Sequence, residues 1–453
     1  MAWRTPGIYL DVGHTNRDLS RHLLMPGPLS IVGYAVNGLG LGHLTRMTAV
    51  LVRMRWLLDA CNRRHAMVVL TSSEADALAW HHGLAAIKVP SKSAAAAGRL
   101  PYAQYRAVAR QVVWTALMAN RPDLLLVDTF PDGAFGELPP AIDTIPHRVL
   151  IARRVLDHVA SSASYKAARS MFHTVLEPSE GEPPSADAIG IGPIHLHDTS
   201  SLLPAAVVRA ELGIPEHHRV LYWSVGGGGD TSIDEAMHGA RQMVECQRDI
   251  TIILAAGPLY RGRSIGHPNI RLERGVGAMQ LLAAAHLAVT AAGYNTVHEC
   301  CALGIPMVLV PRARGADDQL ARAHRMVQHG AGSLAASFAP QDVLHAMEAF
   351  ANHDAYTAAS HAAKTLSERN CALDAAAHAL QRCVDAATLD RAMQLVETLR
   401  PSMVARGQWP QALRRAAAVW SCSPTLVVDD IVEQIREQNG EHSGNHEEFN
   451  HEV

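Results

Sequence analysis

A histidine stands in the place of a glycine in the first glycine-rich segment of this chain, Asn37-Gly38-Leu39-Gly40-Leu41-Gly42-His43-Leu44-Thr45-Arg46. Glycines let a backbone turn tightly, and the helix that follows offers unpartnered amides to an anion such as phosphate. A dinucleotide-binding turn needs three glycines at fixed spacing; Gly38 and Gly40 supply two, and His43 occupies the third place. Nicotinamide and flavin cofactors are therefore not expected. An imidazole at a helix mouth, with Arg46 one turn further on, is disfavoured as a cation and suits a general base. Its plainer role is a hydrogen bond to substrate or backbone. Asp128, at the end of an apolar run and followed by Asp132, is a second candidate base, and Arg153 follows another such run.

Three further segments carry ligand chemistry. Four consecutive glycines, Gly226 to Gly229, precede Asp230. Their entropic cost is offset if the backbone approaches a ligand closely, which nominates Gly227, Gly228 and Gly229; a flexible loop is the alternative. In Val289 to Pro306 an apolar run reaches the small-residue turn Ala291-Ala292-Gly293, Asn295 or Thr296 then caps a short helix, and Gly304 with Pro306 ends it. Amides at that helix start suit a diphosphate. Glu299, about one turn in, can accept two hydrogen bonds from a ribose diol, unless it is simply a solvated helix charge. His298 points roughly 100° away and reads as structural. Finally, Asp318 and Gln319 offer partners for sugar hydroxyls, and Arg312 or Arg314 for phosphate, in a loop that could equally be an ordinary exposed turn.

These residues sit where a parallel α/β sheet would place them. Apolar runs begin at Leu29, Met67, Leu124, Arg148 and Ile189, then again at Val220, Ile250, Leu287 and Met307, with helical patterns between. Each half opens with strand, glycine turn and helix. The expectation is two doubly wound Rossmann-like domains facing a cleft. The boundaries are an N-terminal extension 1–29, a first domain 30–195, a second domain 196–370, a helical extension 371–437 and a disordered tail 438–453.

Composition narrows the class. The chain has 453 residues, a formal net charge of −3 and 5% aromatic residues, which argues against nucleic acid as a partner. Seven cysteines without a CxxC spacing read as reduced thiols of a cytoplasmic protein. The first 30 residues lack a continuous apolar h-region, so no secretory signal is expected, and no apolar stretch is long enough to span a bilayer; peripheral membrane contact stays open. The 26 histidines are scattered, with no H-E-x-x-H helix, and no Asp-x-Asp triplet is present; no metal and no other cofactor is expected.

Taken in order, the four segments resemble the GT-B nucleotide-sugar glycosyltransferases of family 28, the superfamily that includes the peptidoglycan-precursor N-acetylglucosaminyltransferases. The likeness covers about residues 30 to 370 and is strongest in Gly293-x-Asn295-Thr296-x-x-Glu299, Ala302-x-Gly304-x-Pro306 and Asp318-Gln319. Gly40-x-Gly42-His43-x-x-Arg46 is similar to the turn of the same superfamily. Asp230 departs from the family's second glycine loop. The resemblance implies an inverting, metal-independent transfer from a nucleotide-sugar, UDP-linked in many members, to a small-molecule or lipid-linked acceptor. Glu299 would bind ribose, Asp318 and Gln319 the donor sugar, and Gly40, Gly42, Arg46, Gly227 to Gly229, Gly293, Asn295 and Thr296 would complete the nucleotide-sugar site. A nucleotide-sugar hydrolase or epimerase of the same fold, or a non-catalytic nucleotide-sugar-binding protein, are the alternatives.

Overall fold

A computed structural model describes residues 27–36, 40–226, 232–260, 262, 265–275 and 278–403. Most of the 1–29 extension, Gly227, Gly228, Gly229, Asp230, residues 404–437 and the 438–453 tail lie outside the described residues.

Two all-parallel sheets form the frame. The first comprises β1 (Leu29–Ala35), β2 (His65–Thr71), β3 (Ala85–Lys88), β4 (Leu124–Asp128), β5 (His147–Ile151), β6 (Thr174–Pro178) and β7 (Ile189–Ile191), in the order β3-β2-β1-β4-β5-β6-β7. The second comprises β8 (Arg219–Ser224), β9 (Ile250–Ala255), β10 (Ile270–Glu273), β11 (Leu287–Thr290), β12 (Met307–Leu309) and β13 (Gly332–Leu334), in the order β10-β9-β8-β11-β12-β13. The central strands are almost continuously apolar because both faces are covered: every residue of β4, β9 and β11 is buried, the terminal Asp128 of β4 included. The continuous runs were therefore readable. The four strands not anticipated, β3, β6, β10 and β13, are short and carry partly exposed positions.

In each sheet the order reverses beside the first strand, between β1 and β4 and between β8 and β11. A crevice opens at the carboxyl ends of such a pair, because the helices following the two strands lie on opposite faces. The helix after β1, α1 (Gly42–Ala60), and the helix after β11, α3 (Tyr294–Leu303), start at these crevices. Gly33 of β1 lets α1 lie close: a Cβ there would come within 2.7 Å of Met47 Sδ. The other face of the first sheet is covered by α2 (Tyr102–Asn120). The loop after β12 leads into α4 (Gln319–Gln328).

The described part of the helical extension expected from residue 371 packs back onto the first domain. Helices α5 (Ala372–Leu380) and α6 (Ala386–Met403) pack on α1, and Leu373, Leu380, Leu389 and Val396 share one core with Ile31, Met47 and Leu126. This is why α1 is buried on nearly all sides, Arg53 included; its guanidinium donates to Leu196 O at 2.9 Å and Asp198 Oδ2 at 2.9 Å. The chain thus crosses between domains twice, and Asn370 clasps the two crossings by donating to His195 O at 3.1 Å and Asp198 Oδ1 at 2.8 Å.

Candidate active site

A cavity of about 410 Å³ lies between the two crevices, lined from the first domain by Gly40, Gly42, His43, Arg46, Phe130 and Arg153, and from the second by residues of the β8, β11 and β12 ends.

On the first-domain side, α1 begins after Leu41, and its first intrahelical bond runs from Thr45 N to Leu41 O at 2.8 Å. The amides of Gly42 and His43 precede that bond. His43 lies next to the end of β4, where its Nδ1 meets Asp128 Oδ2 at 2.5 Å. Arg46 grips the same carboxylate with Nε at 2.7 Å and Nη2 at 2.8 Å. Asp128 is completely buried and Arg46 is 1% exposed. Asp128 therefore does not face the cleft as a candidate base would; both its oxygens are occupied by first-domain side chains. Arg46, expected among ligand-binding groups, has its guanidinium committed to Asp128. The backbone bends sharply here: Thr129 adopts φ 66°, a conformation that costs a β-branched residue about 1–3 kcal/mol and clusters at functional sites.

Burial pushes the His43 imidazole below its ordinary value, and Arg46 and Arg153 act in the same direction against Asp128. Burial, rather than the helix terminus or Arg46, is the main cause of the neutral ring. Burial alone would raise Asp128, but Arg46 and His43 outweigh it and hold the carboxylate at about 2. Ionised Asp128 fixes the proton on His43 Nδ1, which leaves the Nε2 lone pair to accept a proton.

On the second-domain side, Gly293 rather than Asn295 or Thr296 is the N-cap of α3, so the helix begins two to three residues earlier than expected. Its first intrahelical bond runs from Val297 N to Gly293 O at 3.0 Å, which leaves the amides of Tyr294, Asn295 and Thr296 at the cavity wall. Gly304, at φ 68°, ends the helix as a left-handed cap. Asn295 Oδ1 is buried with no hydrogen-bond partner among the described residues. Glu299 also lines the cavity, 7% exposed, and burial lifts its carboxyl to about 8. His298 is buried against the Tyr294 ring, with centroids 4.4 Å apart.

The loop after β12 departs from expectation. Asp318 does not line the cavity; it is the N-cap of α4 and accepts from Ala321 N at 3.0 Å. Its neighbour Asp317 turns inward instead and pairs with Arg153 at 2.5 Å and Arg322 at 2.9 Å. Gln319 lines the cavity, held by Arg312 N at 3.0 Å and by Asp317 at 3.3 Å. Arg312 pairs with Glu235 at 2.5 Å outside the cavity, whereas Arg314 lines it. Tyr294, Asp317, Arg322 and Glu180 were missed as a group. The adjacent Asp317-Asp318 was a signal, but choosing between the two required knowing where α4 begins.

Among the described residues no cluster of three potential metal ligands occurs, and no helix is long and apolar enough to cross a membrane.

Residues 278–374 match the model for the glycosyltransferase family 28 C-terminal domain. The UDP-N-acetylglucosamine–N-acetylmuramyl-(pentapeptide) pyrophosphoryl-undecaprenol N-acetylglucosamine transferase of Mycobacterium bovis (strain BCG / Pasteur 1173P2) is 29% identical over 275 residues, which are 56% of this chain and 64% of that protein. The chain thus spans a little under two thirds of the length of the curated relatives it matches. Among solved structures, the glycotransferase of kitacinnamycin superposes with a TM-score of 0.54 at 16% identity, covering 79% of this chain and 99% of the other. A putative UDP-N-acetylglucosamine 2-epimerase from Listeria monocytogenes gives 0.52 at 12%, covering 78% and 96%. This likeness concerns the fold, the two-Rossmann-domain GT-B arrangement, which transferases and epimerases share.

Proposed function

We propose, from a second domain that resembles the family 28 C-terminal domain, that this cleft transfers a glycosyl group from a nucleotide-linked donor to an acceptor hydroxyl with inversion. The single observation that carries the reading is the pairing of the two sides. An imidazole whose Nδ1 is held by Asp128 shares the cavity with a helix start that presents amides and with the buried carboxyl of Glu299.

The donor nucleotide lies along α3. Glu299 accepts from the ribose hydroxyls, the amides of Tyr294, Asn295 and Thr296 face the diphosphate, and Gly40, Gly42 and Gly293 give the backbone close approach. Gln319 meets the sugar, while Asp318 acts through the start of α4 rather than by contact. The sequence relative's name points to UDP-N-acetylglucosamine as donor class and a lipid-linked acceptor. An acceptor of that kind would bring the first domain to a membrane surface.

In the reaction the acceptor oxygen attacks the anomeric carbon as its proton passes to His43 Nε2. The bond between that carbon and the phosphate oxygen breaks, and the nucleoside diphosphate leaves with the electron pair. Asp128 remains ionised and stabilises the imidazolium that forms, while Arg46 keeps Asp128 in place. The growing charge on the diphosphate falls to the amides of α3 and to Arg314.

Product analysis tests this. Incubated with a UDP-hexose alone, the protein leaves the donor intact; with an acceptor panel that includes polyprenyl-linked saccharides, nucleoside diphosphate and glycosylated acceptor appear together. Free sugar released without acceptor would instead identify a hydrolase. A 2-epimeric donor would identify an epimerase, and binding without turnover on any acceptor a non-catalytic binder.

A further inference from the structure

Tyr294, the first residue of α3, is 5% exposed, and three guanidinium groups surround its ring. Arg46 lies 5.6 Å, Arg153 6.0 Å and Arg322 5.6 Å from its centroid. Arg46 and Arg153 belong to the first domain and Arg322 to the second. Each has a carboxylate: Arg46 holds Asp128, Arg153 meets Asp317 at 2.5 Å, and Arg322 meets Glu180 at 2.7 Å. The last two pairs cross the domain boundary in opposite directions. The same surfaces are joined by Tyr294 Oη donating to Ser179 O at 3.4 Å and Leu156 N to Ala316 O at 3.2 Å.

Two properties follow from this composition. A contact made of charges can part without exposing a large apolar surface, and a buried ion network adds little net stability, a composition suited to reversible docking of the domains. Arg46 also has two neighbours at once: it lies against Tyr294 and it is the bidentate partner of the carboxylate that orients His43. Asp317 sits two residues before Gln319, and its partners Arg153 and Arg322 flank the same Tyr294 ring as Arg46.

We propose that Tyr294, with the Arg153–Asp317 and Arg322–Glu180 crossings, is a closure-linked positioning device: docking of the second domain seats Arg46 on Asp128 and thereby sets His43. This rests on the base assignment made above. Tyr294 acts through Arg46 and is a positioning residue, not a catalytic one. The device makes the base competent only when the donor-side domain is closed over it, so an open cleft would leave the acceptor proton in place.

The full chain can test this without donor or acceptor. Removing both carboxylates of the crossings, Asp317→Ala with Glu180→Ala, leaves Arg153 and Arg322 repelling each other. Solution X-ray scattering should then show a larger radius of gyration, with an unchanged far-ultraviolet circular dichroism spectrum. By NMR titration the His43 ring should titrate at higher pH, nearer the ordinary ~6.5, as burial is relieved. Asp317→Glu keeps the charge and should restore the wild-type values. If the double variant opens while the His43 titration stays put, or if neither changes, the device is refuted. If the double variant does not fold, Tyr294→Leu and Tyr294→Phe decide it. The first should shift the His43 titration and the second should not; equal behaviour overturns the proposal. A chain that shows these shifts but transfers no sugar contradicts the proposed function alone.

Discussion

The two walls of the cleft differ in how far the protein satisfies its own polar groups. On the first-domain wall His43 and Arg46 converge on Asp128, and the Asp128 contact engages His43 through Nδ1, not Nε2. On the second-domain wall Asn295 Oδ1 is buried with no hydrogen-bond partner among the described residues, and Glu299 is buried with it, beside helix amides that have no intrahelical acceptors. A closed network has a fixed geometry and suits a group that must be oriented before substrate arrives. Unsatisfied buried groups cost free energy in the empty protein and regain it on binding. The contrast matches the proposed division of labour, one wall for proton transfer and the other for holding a ligand.

The largest effect should come from breaking the closed wall. His43→Ala is expected to lower turnover on the order of 10²–10⁴-fold, while the dissociation constant for donor, measured by calorimetry, changes little. Equal turnover in that variant would remove His43 as base. In the wild type, the acid limb of the kcat/KM profile should fall below pH ~6.5, since burial lowers the imidazole. Asp128→Asn should reduce turnover by up to about 10⁴-fold and also destabilise the chain by about 3–5 kcal/mol, because Arg46 is left buried and unpaired. Urea denaturation distinguishes this from His43→Ala, which leaves the Arg46–Asp128 pair intact.

The walls also differ in how legible they were. The second-domain site is local: Gly293, Asn295, Thr296 and Glu299 lie within seven residues on one turn and helix, so spacing alone places them together. The first-domain site joins His43 to Asp128 across 85 residues, and no periodicity reports such a pairing. Asp128 could be read as the end of an apolar strand, but not as a side chain turned inward onto α1. The central strands were legible because parallel strands buried on both faces are continuously apolar. The return of α5 and α6 to the first domain was not, since an Ala-rich helix pattern does not say which core it joins. At Asp318 the motif's register suggested ligand contact, but an aspartate directly before a helix is drawn to cap it.

Smaller effects sharpen the second wall. Above pH ~8, where the carboxyl is ionised, Glu299→Gln should weaken donor binding roughly tenfold or more, as hydrogen bonds to a charged group are lost. The Glu299 carboxyl is raised to about 8 when folded, against ~4.3 unfolded. Its contribution to stability is therefore complete below pH ~4.3 and is lost as pH rises toward about 8. The thermal midpoint of the ligand-free protein should fall across that window relative to Glu299→Gln, and donor affinity should rise over the same range only in the wild type. The smallest change is expected for Asp318→Ala, which should cost about 1 kcal/mol of stability through the lost cap and leave donor affinity close to wild type. A large loss of affinity there would return Asp318 to the sugar site.

Isothermal titration of UDP-, TDP- and GDP-linked sugars, above pH ~8 where Glu299 is ionised, into the wild type, His43→Ala and Glu299→Gln tests the division of labour most directly. Saturable binding of one nucleotide class, unchanged by His43→Ala and weakened roughly tenfold or more by Glu299→Gln, is the predicted result. Equal affinity in the wild type and Glu299→Gln, or no binding to any of the three, would contradict it.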